Sequence, residues 1–329
     1  MMTEEKSDKS LKVSTSPHVH SGHSTEKIMF FVSAMLLLPS AAGVYYFGIY
    51  ALFVILVSVF TCILTEYAAK KLRKREFKMD GSAVVTGLLF ALILPPRIPL
   101  WAVVLGAAFS IALIKEAFGG LGYNIFNPAL GGRAFLSVSF AVMMTKWVAP
   151  VKSLTADAVT TATPLSEGYA FAGSNSDMYM KLLMGNVGGC IGETSALLIL
   201  IGGIGMLATG VIKWRIPTIF IGTVFGLTWL IPGEDPIFHI LAGGLFLGAF
   251  FMATDYTTSP MTARGEMLFA FCAGVLVVMI RNFGSMPEGV AFSILLMNAF
   301  TPLIDRYIRP KTYGFIPPKK EDKKEGDDE

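Results

Sequence analysis

Residues 28–67 read IMFFVSAMLLLPSAAGVYYFGIYALFVILVSVFTCILTEY, and Glu66 is the one charged residue among them. A helix that crosses a bilayer needs about 20 predominantly apolar residues, so this stretch is long enough to cross twice. We therefore predict two membrane-spanning helices, 28–48 and 49–67, which together form a hairpin. The hairpin indicates an integral membrane protein.

The composition of the whole chain agrees with this prediction. Of the 329 residues, 53% are hydrophobic and 16% are charged, and the mean hydropathy is +0.59. These values are too apolar for a soluble fold of this length and indicate several membrane spans. The net charge of +3 gives no support for nucleic acid binding. The three cysteines lack CxxC spacing, so we expect no iron–sulfur cluster held by this chain alone.

Eight further apolar runs bring the predicted number of crossings to ten. They are 82–94, 98–113, 134–145, 196–212, 216–231, 237–254, 267–280 and 290–304. The first of these stops at Pro95-Pro96, which is too early for a full span and favours a broken or half-length helix. Segment 119–133 is rich in glycine and also contains two asparagines and a proline, which argues against a continuous helix there.

Basic residues define the predicted orientation. Lysine and arginine collect in 1–27, in 70–78 and in 306–329, and cytoplasmic segments of membrane proteins carry this excess of positive charge. We therefore expect both termini in the cytoplasm. After five crossings, the long polar segment 146–185 then lies on the outer face.

The chain also shows signs of an internal repeat. Shifting the sequence by 165 residues aligns Pro95 with Pro260 and Phe118-Gly119 with Phe283-Gly284. A repeat of five spans forces its two copies into opposite orientations, and such inverted repeats form sites at their interface. The resulting predicted organisation is a tail (1–27), a first repeat (28–145), an outer loop (146–185), a second repeat (186–304) and a charged tail (305–329).

Four polar segments interrupt the apolar pattern. The outer loop contains DAVTTATPL at 157–165, and the other three are YNIFNPALGGRAF at 123–135, GETS at 192–195 and MATDYTTSP at 252–260. Threonine and aspartate are ordinary loop residues, so the first segment alone indicates little. Its setting indicates more, because loops as long as 146–185 are usually functional or disordered.

Together, these segments resemble the pattern of the NqrB/RnfD family, from Ser16 to about Arg309. Length and the short N-terminus are more similar to the D subunits of Rnf complexes than to the B subunits of sodium-pumping NADH:quinone reductases. The resemblance implies an all-α membrane fold of two inverted five-helix repeats with broken helices, similar to urea transporters. It also implies a subunit of an Na⁺- or H⁺-translocating ferredoxin:NAD⁺ oxidoreductase in a bacterial or archaeal cytoplasmic membrane. The partners would be iron–sulfur and flavin subunits, and no complete active site is expected in this chain alone.

The resemblance also implies a covalent flavin on the outer loop. Its motif is Asp157-x-x-Thr160-x-Ala162-Thr163, and Thr163 would receive FMN through a phosphodiester bond made by a separate flavin transferase. Asp157, Thr160 and Ala162 would then serve transferase recognition and loop shape. We expect the hydroxyl of Thr163 to be exposed. Some relatives also hold a noncovalent riboflavin among the helices.

Four further residues are candidates for cofactor binding. Glu193 and Thr194 stand before the sixth span, where backbone amides and the positive helix end can face the FMN, or where the same residues simply cap the helix. Asn127 and Arg133 lie where the backbone is predicted to break and face either a flavin or ion path, or only their packing neighbours. The competing functions are a flavin-free inverted-repeat transporter of solutes or ions and the B subunit of a sodium-pumping NADH:quinone reductase.

Overall fold

The hairpin predicted for residues 28–67 is present in the computed structural model as two helices, α1 (Thr25–Phe47) and α2 (Ile49–Leu72). The structure describes residues 24–75, 77, 79–150, 163–165, 175–284 and 289–309. Gly48 joins the two helices with a φ of 81°, a conformation that glycine adopts without steric cost. Apolar side chains cover the outward face of the hairpin, among them Phe30, Leu37, Phe53, Leu56, Phe60 and Leu64. This surface suits contact with lipid.

A short buried helix lies at the centre of the first half. The remaining elements of this half are α3 (Ser82–Leu92), α4 (Leu100–Phe109) with its π-helical continuation Ser110–Glu116, α5 (Pro128–Ser139) and the single turn α6 (Ala141–Met144). Nine of the eleven residues of α3 are buried, because α1, α2 and α5 all pack against it. The predicted half-length helix that stops before Pro95-Pro96 is confirmed.

The second half is also helical in the ranges that the structure describes. Its elements are α7 (Asn175–Met184), a 3₁₀ turn (Ile191–Glu193), α8 (Ala196–Ala208), α9 (Arg215–Leu230), α10 (Pro236–Leu241), α11 (Leu245–Leu247) with its π-helical continuation Gly248–Met252, α12 (Ala263–Phe283) and α13 (Gly289–Tyr307). Among the described residues, α1, α2 and α12 are long and apolar enough to cross a membrane by themselves. The protein is thus a helical membrane protein that also contains several shorter apolar helices.

The predicted fifth span, 134–145, is wrong at both ends. Helix α5 begins at Pro128, and its glycines and Arg133 are helical. The side-chain oxygen of Asn127 accepts hydrogen bonds from the backbone N–H groups of Ala129 and Leu130, and proline is favoured in the first turn of a helix. This cap outweighs the helix-breaking effect of the glycines. The helix then ends at Ser139, and only α6 follows.

The predicted eighth span, 237–254, is broken in its middle. Helix α10 ends at Leu241, and Gly243 and Gly244 follow with φ values of 70° and 66°. This left-handed conformation is disfavoured for side chains that carry a Cβ. The chain resumes as α11 and its π-helical continuation. The glycine pair is hereafter called the Gly243-Gly244 break.

Three charged groups form a buried cluster where α2 approaches the end of the π-helical segment. The ammonium group of Lys115 lies 3.0 Å from Oε2 of Glu66 and donates a hydrogen bond of 2.5 Å to Oγ of Ser82. The second carboxylate oxygen of Glu66 pairs with Lys70 at 2.5 Å. Lys115 and Glu66 are only 2% and 1% exposed, so each charge depends on the others for compensation.

Close packing between α5 and α4 gives a first prediction. A Cβ on Gly132 would lie 1.8 Å from Oγ of Ser110 and 2.9 Å from the carbonyl oxygen of Gly106. Gly132→Ala should therefore lower the free energy of unfolding by about 1–3 kcal/mol through overpacking. The matched control is Gly222→Ala in α9, where a Cβ meets no atom within 4 Å. Thermal unfolding of the two purified variants in detergent measures their stabilities. Equal stabilities of Gly132→Ala and Gly222→Ala would contradict the prediction.

Candidate functional site

The predicted flavin acceptor lies in the short described part of segment 146–185, Thr163-Pro164-Leu165. Asp157, Thr160 and Ala162 fall outside the described residues, and their predicted roles stay predictions. Thr163 is only 3% exposed, so the expectation of an exposed hydroxyl is wrong. The same short segment docks on the second half of the chain through Leu165.

Leu165 docks the segment on the Gly243-Gly244 break. A Cβ built on Gly243 would lie 2.2 Å from Cδ1 of Leu165, so the leucine side chain fills the space that the missing side chain leaves. The same Cβ would lie 3.0 Å from Nη2 of Arg281. The side chains of Leu165 and Arg281 therefore converge on one glycine.

Arg281 belongs to the last turn of α12 and binds the chain where α10 runs into the break. Its Nη1 donates a hydrogen bond of 2.6 Å to the carbonyl oxygen of His239, and its Nη2 donates to the carbonyl oxygens of Ala242 at 3.1 Å and Gly243 at 3.4 Å. These carbonyls lie at the C-terminal end of α10, which carries partial negative charge. The guanidinium thus holds the break in place.

Glu193 lies on the other side of the same break. One of its carboxylate oxygens accepts a hydrogen bond of 3.2 Å from the backbone N–H of Cys190. A Cβ on Gly244 would lie 3.1 Å from its other oxygen, and a Cβ on Gly189 would lie 2.7 Å from the first. Two positions without side chains therefore make room for this carboxylate.

Two hydroxyls follow Glu193. Ser195 caps α8, because its hydroxyl accepts a hydrogen bond from the backbone N–H of Leu198. The hydroxyl of Thr194 instead donates to the carbonyl oxygen of Ile191 in the preceding turn. The capping interpretation therefore describes Ser195 and not Thr194.

Arg133 reaches the same region from α5. A small cavity of about 20 Å³ is lined by Arg133, Glu193, Gly243 and Gly244 together with apolar residues. Nη1 of Arg133 lies 3.5 Å from the sulfur of Cys190. The structure therefore brings Arg133, Glu193 and the docked Thr163 segment to a common centre, the Gly243-Gly244 break.

Asn127 lies elsewhere, in the wall of a larger cavity of about 90 Å³. Polar lining residues of this cavity include Ser82, Thr86, Lys115, Asn124, Asp255 and Thr257. The amide oxygen of Asn127 caps α5, and its amide nitrogen donates a hydrogen bond of 3.3 Å to the carbonyl oxygen of Met252. Its observed contacts are thus structural, and they join the two halves of the chain.

The sequence interpretation missed Arg281 and the glycine pair. A signal was present, because an arginine at the end of an apolar run is costly in a membrane and is usually retained for a function. Two adjacent glycines inside the run 237–254 were an equally visible sign of a break.

Comparisons with known proteins match almost the whole chain. A model described as the NQR2, RnfD, RnfE family matches residues 12–314. The D subunit of the proton-translocating ferredoxin:NAD(+) oxidoreductase complex of Clostridium ljungdahlii is 46% identical over 318 residues, which cover 92% of this chain and 96% of that protein. The D subunit of the Na(+)-translocating ferredoxin:NAD(+) oxidoreductase complex of Acetobacterium woodii is 46% identical over 316 residues, or 95% and 98% of the two chains. The D subunit of the ion-translocating oxidoreductase complex of Stutzerimonas stutzeri is 39% identical over 328 residues, or 88% and 92%.

Proposed function

The chain belongs to the NQR2, RnfD, RnfE family, and from this premise we propose that it is the membrane-embedded D subunit of an ion-translocating ferredoxin:NAD⁺ oxidoreductase complex. The observation that carries the proposal is identity of 46% to two such D subunits over at least 92% of this chain. The partners would be the other subunits of that complex. Because these two relatives are named for protons and for sodium ions at equal identity, overall similarity does not select the ion.

Removing the subunit tests this function directly. Membranes of a host strain that lack this chain should lose ferredoxin-dependent NAD⁺ reduction and the ion uptake that accompanies it, and the full chain should restore both. A flavin-free solute transporter predicts that the redox activity survives the deletion. A B subunit of a quinone reductase predicts the loss of NADH-dependent quinone reduction instead.

The proposed architecture is a pair of inverted five-helix repeats. A shift of 165 residues carries α1, α2, α3, α4 and α5 onto α8, α9, the α11 segment, α12 and α13 in order, with overlapping bounds. An odd number of spans in each copy then gives the copies opposite orientations. In the proposed topology, both termini are cytoplasmic and the Thr163 loop is outside. Single cysteines introduced in 146–150 test this topology with a membrane-impermeant thiol reagent. Labelling from the cytoplasmic side alone would contradict the proposed outer position of the loop.

Thr163 is the proposed attachment site of FMN. A separate flavin transferase would join the FMN to its hydroxyl through a phosphodiester bond. Two features near it suit such a group: a hydroxyl for the bond, and the cationic Arg281 beside the docked segment. The flavin would supply the electron-carrying chemistry. The chain itself provides position and charge, since Leu165 anchors the segment on the Gly243-Gly244 break and Arg281 holds that break to α12.

We also propose a noncovalent riboflavin among the helices. The larger cavity presents apolar walls with hydroxyl and amide groups, but its volume of about 90 Å³ is below the roughly 300–1,000 Å³ of small-molecule sites, so the riboflavin is not assigned to it. Acid denaturation of the purified chain should release riboflavin into the supernatant in the same amount from wild type and from Thr163→Ala. Release that depends on Thr163 would contradict a separate second flavin.

Docking of the Thr163 segment gives a prediction that is independent of any flavin. The test uses a chain in which Thr163→Cys introduces a cysteine at position 163. In that chain, Gly243→Ala should accelerate maleimide labelling of the introduced cysteine by about tenfold. The Cβ added at position 243 displaces Leu165, and a packed leucine contributes well over 1 kcal/mol. Gly210→Ala is the matched control, since Gly210 has a φ of 72° against 70° for Gly243 and its Cβ would meet nothing within 4 Å. The three native cysteines also react, so their labelling is measured in the chain that keeps Thr163 and is subtracted from each rate. Equal rates in the two variants would contradict docking through Gly243.

A further inference from the structure

Arg281 is a cation without a carboxylate partner among the described residues. No described Asp or Glu oxygen forms an ion pair with it; its hydrogen bonds go to carbonyl oxygens. A charge at the end of an apolar helix is costly unless it is paired. The carboxylate of Glu193 acts on it across the break without forming an ion pair, and dipoles at the end of the short helix α10 compensate it in part.

The hydrogen-bonding capacity of Arg281 is also incompletely used. A guanidinium has five N–H donors, and the Nε atom of Arg281 is buried without a hydrogen-bond partner. An unmet buried donor costs about 1–3 kcal/mol. The combination of net charge and an unused donor suits an anion with more than one acceptor oxygen.

Such an anion is available at the docked outer segment. Nη2 of Arg281 and Cδ1 of Leu165 lie 3.0 and 2.2 Å from the same point above Gly243, and Thr163 precedes Leu165 by two residues. A phosphodiester carries one negative charge and two non-bridging oxygens, and the unused Nε–H of Arg281 can donate a charge-assisted hydrogen bond to one of them. We propose that Arg281 is the positioning residue that binds the phosphodiester of the Thr163-linked flavin and fixes the flavin beside the Gly243-Gly244 break.

This inference rests on the proposed flavin attachment, and it makes one step beyond it. If Arg281 only caps α10, its removal weakens the fold but leaves the properties of the attached flavin unchanged. If Arg281 binds the flavin phosphodiester, its removal changes the electrostatics and the accessibility of the flavin in a complex that is still folded.

The test compares Arg281→Gln and Arg281→Lys with Arg264→Gln and Arg264→Lys in the purified whole complex. Arg264 lies in the first turn of the same helix and is exposed, so its variants make the same change in net charge at the opposite end. Intact mass reports the amount of flavin on Thr163. Spectroelectrochemical titration reports its reduction equilibrium, and iodide quenching of its fluorescence reports its accessibility.

Arg281→Gln should disfavour two-electron reduction of the Thr163 flavin by about tenfold, or about 30 mV, because a positive charge that stabilises the reduced flavin is lost. Arg264→Gln should leave the equilibrium unchanged. Arg281→Lys should leave the reduction equilibrium of the flavin close to that of wild type, because it keeps the positive charge. It should raise iodide quenching by about threefold over Arg264→Lys, because lysine lacks the Nε–H donor and the planar guanidinium.

The outcomes separate the two proposals. A wild-type complex without flavin on Thr163 overturns the flavin attachment, and the role of Arg281 with it. A loaded complex in which the Arg281 variants match the Arg264 variants overturns only the role of Arg281. If Arg281→Gln does not assemble, Arg281→Lys decides, and unchanged iodide quenching in that variant overturns the inference.

Discussion

Replacing Thr163 with alanine is expected to remove all covalently bound flavin from this chain. The variant lacks the one hydroxyl to which the phosphodiester is proposed to bind. In-gel fluorescence after denaturation should be lost, and intact mass should fall to that of the unmodified polypeptide. Ferredoxin-dependent NAD⁺ reduction by the complex should drop to background, because the electron relay through this subunit would be interrupted.

Thr163→Ser is the matched control, since it keeps a hydroxyl and removes a single methyl group. It should retain at least part of the flavin. Fluorescence that persists in Thr163→Ala would exclude Thr163 as the acceptor. Peptide mapping that finds Thr163 unmodified in fully active complexes would contradict the electron-carrying role, and the flavin-free transporter would then become the better explanation.

The second large effect is expected from Glu66, whose carboxylate compensates Lys115. Glu66→Gln removes the negative charge that compensates the buried ammonium and leaves it with neutral acceptors, the hydroxyl of Ser82 and the new amide oxygen. Breaking a buried ion pair on one side costs about 3–5 kcal/mol, so the free energy of unfolding should fall by that amount. Lys115→Met should cost less, because Glu66 retains its ion pair with Lys70. Thermal unfolding of the purified chain in detergent measures the difference.

The control for this pair is Lys213→Met. Lys213 contacts Glu266 at 2.6 Å but is 60% exposed, and Arg215 remains beside the same carboxylate at 3.1 Å. An exposed pair contributes about 0–1 kcal/mol, so this variant should be close to wild type. A Glu66→Gln variant as stable as Lys213→Met would show that the cluster contributes little to stability. The double variant Glu66→Gln with Lys115→Met should recover part of the loss.

The sequence allowed prediction of those features that depend on local pattern. The apolar hairpin and the helix that ends before Pro95-Pro96 follow from run length and from proline chemistry, and both are present. The start of α5 is also encoded locally, in the asparagine cap and the proline at its first position, although the glycines that follow favour a later start. Helix capping is a short-range effect, so the sequence contains enough information to place this helix correctly.

Other features depend on contacts between distant parts of the chain. The docking of the Thr163 segment depends on Leu165 packing against Gly243, and these two residues are 78 positions apart (243 − 165). The convergence of Arg133 and Glu193 at one small cavity likewise requires α5 to meet the segment before α8. No periodicity or composition within either segment contains this information. The family resemblance anticipated the function, but it did not predict the role of Arg281.

The burial of Thr163 also constrains how the protein matures. If Thr163 accepts a flavin as proposed, the transferase needs direct access to an oxygen that belongs to a side chain only 3% exposed in the folded chain. Modification would then precede the packing of this segment, or would require the segment to open again.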